Sequence, residues 1–233
     1  MSTVRFVTLA GVLAAAMITP AQARGQLSGK FVVTPYVGAY LPSTDLARIN
    51  VGAGANFVNA AIKHQSTAAF GANASYWLND RFAIEGGLLY ANTDLKGSML
   101  TNENGALTTT PLADHANVWL GSTKLMIQVL PQESDFNLRF GIGPALITRN
   151  GSAYKSDVEG KVTGLTDFGA AMSLCSRLAL SPNVGLRLRV ENYMYKAKIG
   201  YESFGSPSNS LAFDSRMQND FVLSAGLQFF LNR

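Results

Sequence analysis

One cysteine and two histidines in 233 residues exclude a good deal of chemistry. Cys175 has no second cysteine in the chain, so no intrachain disulfide framework exists. With so few soft or imidazole ligands no metal-ligand spacing arises. Gly52-Ala-Gly54 lacks the strand and helix that would make it a phosphate loop, so no cofactor is called for. Charge is also scarce: Asp, Glu, Lys and Arg make up 15% of the chain, 19 basic residues against 15 acidic ones. The basic residues stand singly, which argues against a nucleic-acid partner. No stretch of 18 consecutive apolar residues occurs, so no transmembrane helix is expected.

What is present is glycine and aromatic residues (22 Gly, 13 Phe, 8 Tyr) behind an N-terminal segment with a different pattern. Arg5 supplies a positive start, Phe6 to Ile18 is an apolar run, and Ala21-Gln-Ala23 is a small-x-small site before Arg24. The run is too short to span a bilayer, which takes about 20 residues as a helix. Residues 1–23 are therefore expected to be a cleaved signal peptide and 24–233 one exported domain. No cysteine follows the cleavage site to carry a lipid anchor.

From Phe31 onward the chain alternates apolar and polar residues with period two in eight segments. The first, 31–41, sets Phe31, Val33, Val37 and Ala39 against Thr34, Tyr36, Gly38 and Tyr40, with Pro35 in its middle. The second, 66–78, sets Phe70, Ala72, Ala74 and Tyr76 against Gly71, Asn73, Ser75 and Trp77. In the third, 81–92, Phe82, Ile84, Leu88 and Tyr90 oppose Ala83, Glu85, Gly87 and Leu89. The fourth, 117–130, has Trp119, Leu125, Ile127 and Val129 against Ser122, Lys124, Met126 and Gln128. Segment five, 136–148, alternates Phe136, Leu138, Phe140 and Ile142 with Asn137, Arg139, Gly141 and Gly143. Segment six, 165–178, pairs Phe168, Met172 and Leu174 with Asp167, Ser173 and Cys175. The seventh, 184–195, sets Val184, Leu186, Leu188 and Val190 against Gly185, Arg187, Arg189 and Glu191. The eighth, 221–231, sets Phe221, Leu223, Ala225, Leu227, Phe229 and Leu231 against Ser224, Gly226 and Gln228.

The connections sharpen this pattern. Those at 42–65, 93–116, 149–164 and 196–220 are long, whereas Asn79-Asp80, Pro131 to Asp135 and Ser181-Pro-Asn183 are short turns. Long and short ends alternating around an even number of strands is the rule for transmembrane barrels, whose short turns face the periplasm. The expected fold class is therefore all-β, an eight-stranded antiparallel up-and-down transmembrane barrel. Outward aromatic residues fall at two levels, Tyr76, Phe82, Phe136 and Phe229 near the short turns and Tyr90, Trp119, Phe168 and Phe221 near the long loops. Such girdles suit the headgroup level of a bilayer.

Four stretches carry a family resemblance: Val33-Thr-Pro-Tyr-Val-Gly-Ala-Tyr40, Phe82-Ala-Ile-Glu-Gly-Gly87, Arg139-Phe-Gly-Ile-Gly143 and Phe221-Val-Leu-Ser-Ala-Gly-Leu-Gln-Phe229. In them the chain resembles the OmpA-like and porin-like outer-membrane β-barrels of Gram-negative bacteria. The resemblance implies an outer-membrane location, a lipid environment and a barrel-assembly machinery as partner. The family's closing strand usually ends in an aromatic residue. Here that register ends at Leu231, followed by Asn232 and Arg233, which bears on assembly efficiency. The resemblance also leads one to expect no periplasmic peptidoglycan-binding domain after the last strand.

Inside such a barrel Glu85, Lys124, Arg139, Arg187, Arg189 and Glu191 project toward the lumen at comparable heights, with Asp167 above them. An eight-stranded barrel is just wide enough to be filled by side chains, and charges buried there must pair. The cluster is read as a plug of ion pairs. Similarity to OmpA-like barrels, where inward carboxylate–arginine pairs occur, implies a gate as the alternative, with Glu85 or Glu191 changing partners to open a narrow channel or small-solute conduit. A third reading rests on His64 and Ser66, placed on the lipid-facing parity at the outer end of the second strand. Some outer-membrane lipid A deacylases carry a His-x-Ser pair on the barrel exterior, but here Thr67-Ala68 follows where that family has Asn-Ala, and no orienting carboxylate is evident. A solvated loop histidine is the simpler reading of His64. His115 beside Asp114 is a weaker candidate for a protease-like pair.

Loop residues Val51, Phe57, Val58 and Ile62, and Tyr201, Phe204 and Phe213, are available for contacts outside the cell. The resulting expectation is a non-enzymatic, monomeric outer-membrane barrel with a closed polar lumen. Its loops would meet an unidentified extracellular ligand.

Overall fold

The period-two alternation builds a closed wall. A computed structural model describes residues 28–53, 56–103, 106–130, 137–155, 160–181, 183–203, 211–212 and 216–231. The expected signal segment 1–23, the expected turn 131–135, and Phe136, Phe204 and Phe213 lie outside the described residues, as do the side chains of Val51, Phe57, Val58 and Tyr201. Among these residues thirteen strands follow in order. They are β1 (Phe31–Pro42), β2 (Ala47–Ala53), β3 (Asn56–His64), β4 (Thr67–Trp77), β5 (Phe82–Glu103), β6 (Ala106–Gln128) and β7 (Asn137–Asn150), then β8 (Gly160–Thr163), β9 (Thr166–Ser181), β10 (Val184–Ala197), β11 (Gly200–Ser203), β12 (Leu211–Ala212) and β13 (Arg216–Leu231).

Eight of them close the barrel in the order β1-β4-β5-β6-β7-β9-β10-β13, and β13 returns to pair with β1. Every pairing is antiparallel, and sequence neighbours around the wall are spatial neighbours, as hairpin connections require. Pro35 does not disturb the alternation: Thr34 and Tyr36 on either side are buried and Val37 is 68% exposed. Proline cannot donate to the ladder, and the flanking β1 pairs hold the register across it.

The wall is inverted relative to a soluble protein. Phe70, Leu88, Leu125, Ile142, Leu174, Leu188 and Leu223 stand on the outside, while Glu85, Lys124, Arg139, Arg187, Arg189 and Glu191 are buried inside. A continuous apolar belt of that kind would be strongly unfavourable in water, at ~25 cal/mol per Å2. In hydrocarbon the penalty vanishes, and the closed ladder leaves no wall strand with an unpaired edge.

Two of the expected long loops are largely strand. β5 and β6 continue past the barrel as one hairpin, paired as far as Glu103 with Ala106. The connection between β1 and β4 holds the β2–β3 hairpin, whose second strand pairs with the upper part of β5. β4 leaves β5 at Ala91 and β3 takes its place from Leu95 upward. Gln65 N–H donates to Asp94 O at 2.9 Å across the join. The edge of β5 is thus covered along its length. A smaller sheet, β12-β11-β8, lies among the other loops.

Candidate functional site

Five of the six inward charges meet at the middle of the lumen. Glu85 on β5 accepts from Arg187 Nη1 at 2.5 Å and Arg189 Nη2 at 2.7 Å, both on β10. Its other neighbours are Lys124 Nζ at 3.7 Å and Ser75 Oγ, which donates at 2.8 Å. Lys124 bonds Glu191 directly, and Arg189 Nη1 reaches the same Glu191 oxygen at 3.2 Å and Asn73 Oδ1 at 2.8 Å. Strand register produces the arrangement: Glu85 sits opposite Lys124 across β5–β6, and Arg187, Arg189 and Glu191 follow each other on one face of β10. Each charge has at least one opposite partner, which is what burial of ions in a narrow lumen requires.

Arg139 is not in this network. Its guanidinium lies 4.6 Å over the Trp77 ring, and Nε donates to Gln128 Oε1 and Asn137 Oδ1, both at 3.1 Å. Arg139 and Arg189 are both in register with Cys175 on β9. A row perpendicular to tilted strands descends as it goes around a barrel, and this one carries Arg139 to the short-turn end. Comparable counts along the strands therefore do not give comparable heights.

Asp167, expected above the same cluster, pairs elsewhere. It accepts from Arg149 Nη1 at 2.7 Å in an upper layer. There the Arg149 guanidinium lies 5.0 Å over the Tyr195 ring, and Tyr40 and Tyr195 both donate to Asp220 Oδ2 at 2.7 Å. Leu89, Leu120, Ile147 and Val222 fill the space around these groups. This layer was not anticipated from the sequence, although Tyr40 carries the inward parity of its strand.

Loop residues close the mouth. Leu46, which follows β1, and Tyr154 from a 3-10 turn at Ser152–Tyr154 are both buried against the upper barrel. Gly151 before that turn has φ 121°, and a Cβ there would meet His115 O at 2.6 Å, so the chain can enter the turn this closely only as glycine. Tyr154 OH lies 3.0 Å from His64 Nε2. His64 is only 3% exposed and faces inward at the end of β3, neither lipid-facing nor solvated. Burial, reinforced by Arg149, pushes its imidazole down to about 3, and burial raises the Tyr154 hydroxyl. Ser66 is exposed in the two-residue join Gln65–Ser66, where the ladder is broken and parity is lost. With His64 turned inside and Nε2 engaged by Tyr154, the pair is not set up as base and nucleophile.

Outside, Tyr76, Phe82, Trp119, Phe168, Phe221 and Phe229 are all exposed on the wall, and Tyr90 stacks between Phe70 and Trp119 at 5.2 and 4.7 Å. His115 and Asp114 meet above that level through the backbone. His115 N–H and Ser152 Oγ both donate to Asp114 Oδ1 at 2.6 Å and hold its carboxyl below the usual range. The imidazole faces Asp94 instead, 3.7 Å away, both half exposed.

No family model and no curated protein matches the chain. Solved structures do. The outer membrane protein OprG from Pseudomonas aeruginosa superposes with a TM-score of 0.61 at 15% identity, over 90% of this chain and 99% of that one. The outer membrane protein AlkL superposes with a TM-score of 0.55 at 15% identity, over 93% and 96%. The outer membrane protease OmpT from Escherichia coli follows with 0.50 at 10% identity, over 89% and 98%. The fold is that of outer-membrane β-barrels. Together with the apolar belt it places the chain in an outer membrane, crossing it with strands.

Proposed function

We propose that this protein is a non-enzymatic barrel with a closed lumen, and that its role is carried by the extracellular part, in surface contact or envelope integrity. The observation behind this reading is that the lumen is filled at successive levels. Trp77, Met126 and Phe230 pack toward the short-turn end, the five-charge ring holds the middle, and tyrosines with aliphatic side chains pack above it. The crevice among Thr34, Tyr36, Asn73, Arg187, Arg189, Ser224 and Gly226 has no room for a water molecule. By contrast β2, β3 and the upper β5–β6 hairpin raise a paired sheet above the wall, a rigid platform for recognition of the kind loops alone do not provide.

Proteoliposomes holding the refolded barrel test this with a small neutral sugar as probe. The closed-lumen reading predicts swelling no faster than in protein-free vesicles. Rapid swelling would instead favour a narrow solute conduit through the ring.

A further inference from the structure

At two levels of the lumen every cation has a carboxylate partner, and at the third none has one among the described residues. The middle ring and the Arg149–Asp167 layer both pair guanidinium with carboxylate. At the short-turn end Arg139 and Arg177 have no carboxylate within ion-pair distance among the described residues, and aromatic rings take that place. Arg139 lies over Trp77, and Arg177 lies 4.3 Å over the Phe230 ring. Stacking satisfies a guanidinium face but leaves its edge N–H groups free. Burying such a group without a counter-charge is strongly unfavourable.

The two arginines belong to one ring of residues. Asn137 faces Arg177 in register and accepts from Arg139 Nε. Arg177 Nε comes within 3.0 Å of where a Cβ on Gly185 would stand, so the missing side chain at 185 makes room for it. Gly185 is in turn opposite Gln228 on β13. Around this ring Arg139 Nη2, Arg177 Nε, Trp77 Nε1 and Gln228 Nε2 have no hydrogen-bond partner among the described residues. Arg139 is 2% exposed, Trp77 1% and Gln228 fully buried, so bulk water does not supply the bonds. Gln228 Oε1 is likewise buried without a partner among the described residues.

We propose that the periplasmic end of the lumen is an anion-binding site, built to take a small oxyanion between Arg139 and Arg177. Guanidinium edges bind planar or tetrahedral oxyanions through paired N–H groups, and indole and amide N–H groups complete the shell. Arg177 is half-buried and forms the approach from the periplasm; Arg139 closes the inner side. The site goes beyond the closed-lumen reading, since an anion bound below the ring needs no path through it.

The test uses the barrel refolded in neutral detergent, with inorganic phosphate as probe and sodium chloride at matched ionic strength as reference. Binding is read from the unfolding midpoint and from the phosphorus resonance of the ligand. The site predicts a saturable phosphate response that chloride does not reproduce, weakened tenfold or more in Arg139→Gln and in Arg177→Gln. If Arg139→Gln does not fold, the half-exposed Arg177→Gln decides. A response equal to that of chloride, or one unchanged in the arginine variants, overturns the proposal. So does a response that appears only after Glu133→Gln and Asp135→Asn, which would show that the chain's own carboxylates fill the ring.

Discussion

Two closures of one lumen, the mid-height ion ring and the extracellular cap, are built from opposite materials. The ring is held by side chains on β5, β6 and β10, whose positions are set by ladder register. The cap is carried by residues on connections: Leu46 after β1, whose N–H donates to Ile62 O at 2.7 Å, and Tyr154 on a single 3-10 turn, held by apolar packing, by His64 and by Ser152 Oγ on Asp114. Moving a ring residue means disturbing the wall, whereas moving the cap requires only a loop to lift. On the closed-lumen reading proposed above, the ring is the permanent seal and the cap a removable one.

Breaking the ring should have the largest effect. Glu85→Gln leaves Arg187 without a carboxylate partner and Arg189 and Lys124 sharing Glu191, and removal of one partner from a buried network costs about 3–5 kcal/mol. Urea unfolding of the barrel in lipid or detergent should show that loss, and Arg187→Met added to Glu85→Gln should recover part of it. An unchanged midpoint for Glu85→Gln would mean that the ring carries no stability.

The cap should respond to acid. The His64 imidazole titrates near 3 in the folded chain against about 6.5 when unfolded. Because the folded value is the lower, the unfolded state takes the proton first as pH falls. The stability contributed by neutral His64 is therefore present above about 6.5 and is lost progressively between there and 3, roughly 3 kcal/mol by pH 4. Proteolytic access to residues 150–155 should increase over that window and become flat in His64→Gln.

Smaller changes sharpen the same contrast. Tyr154→Phe removes one hydrogen bond and should cost about 1 kcal/mol, adding to Glu85→Gln without coupling, because the two sites share no partner. Asp94→Asn removes a half-exposed pair with His115 at 3.7 Å and should change stability by less than about 1 kcal/mol.

How much of this is legible in the sequence follows from where each residue sits relative to the bilayer. Within the span, lipid forces apolar residues outward, so period two alone separates Phe82 and Ile84 from Ala83 and Glu85. Above the span the outward face meets water instead of lipid, so polar residues such as Asp94 and Lys96 point out while Thr93 and Leu95 point in, and the apolar-out pattern is lost. For that reason Thr93 to Ala116 reads as a loop, although it forms a ladder out to Glu103 and Ala106. His64 fails for a related reason: it belongs to β3 of the raised sheet, and the break at Gln65–Ser66 separates its parity from that of β4. Arg139 and Asp167 carry the right parity, but their partners depend on strand tilt, which a count along the chain does not contain.

The central claim is that side chains borne by the strands, with the ring at their centre, keep the lumen shut without the cap. Planar-bilayer conductance of the refolded barrel, beside a variant with Leu46→Ala and Tyr154→Ala that loosens the cap, tests it most directly. The account predicts silence from both, because the strand-borne charges remain in place. Discrete openings in the wild-type chain, or openings that appear once the cap is loosened, would contradict it.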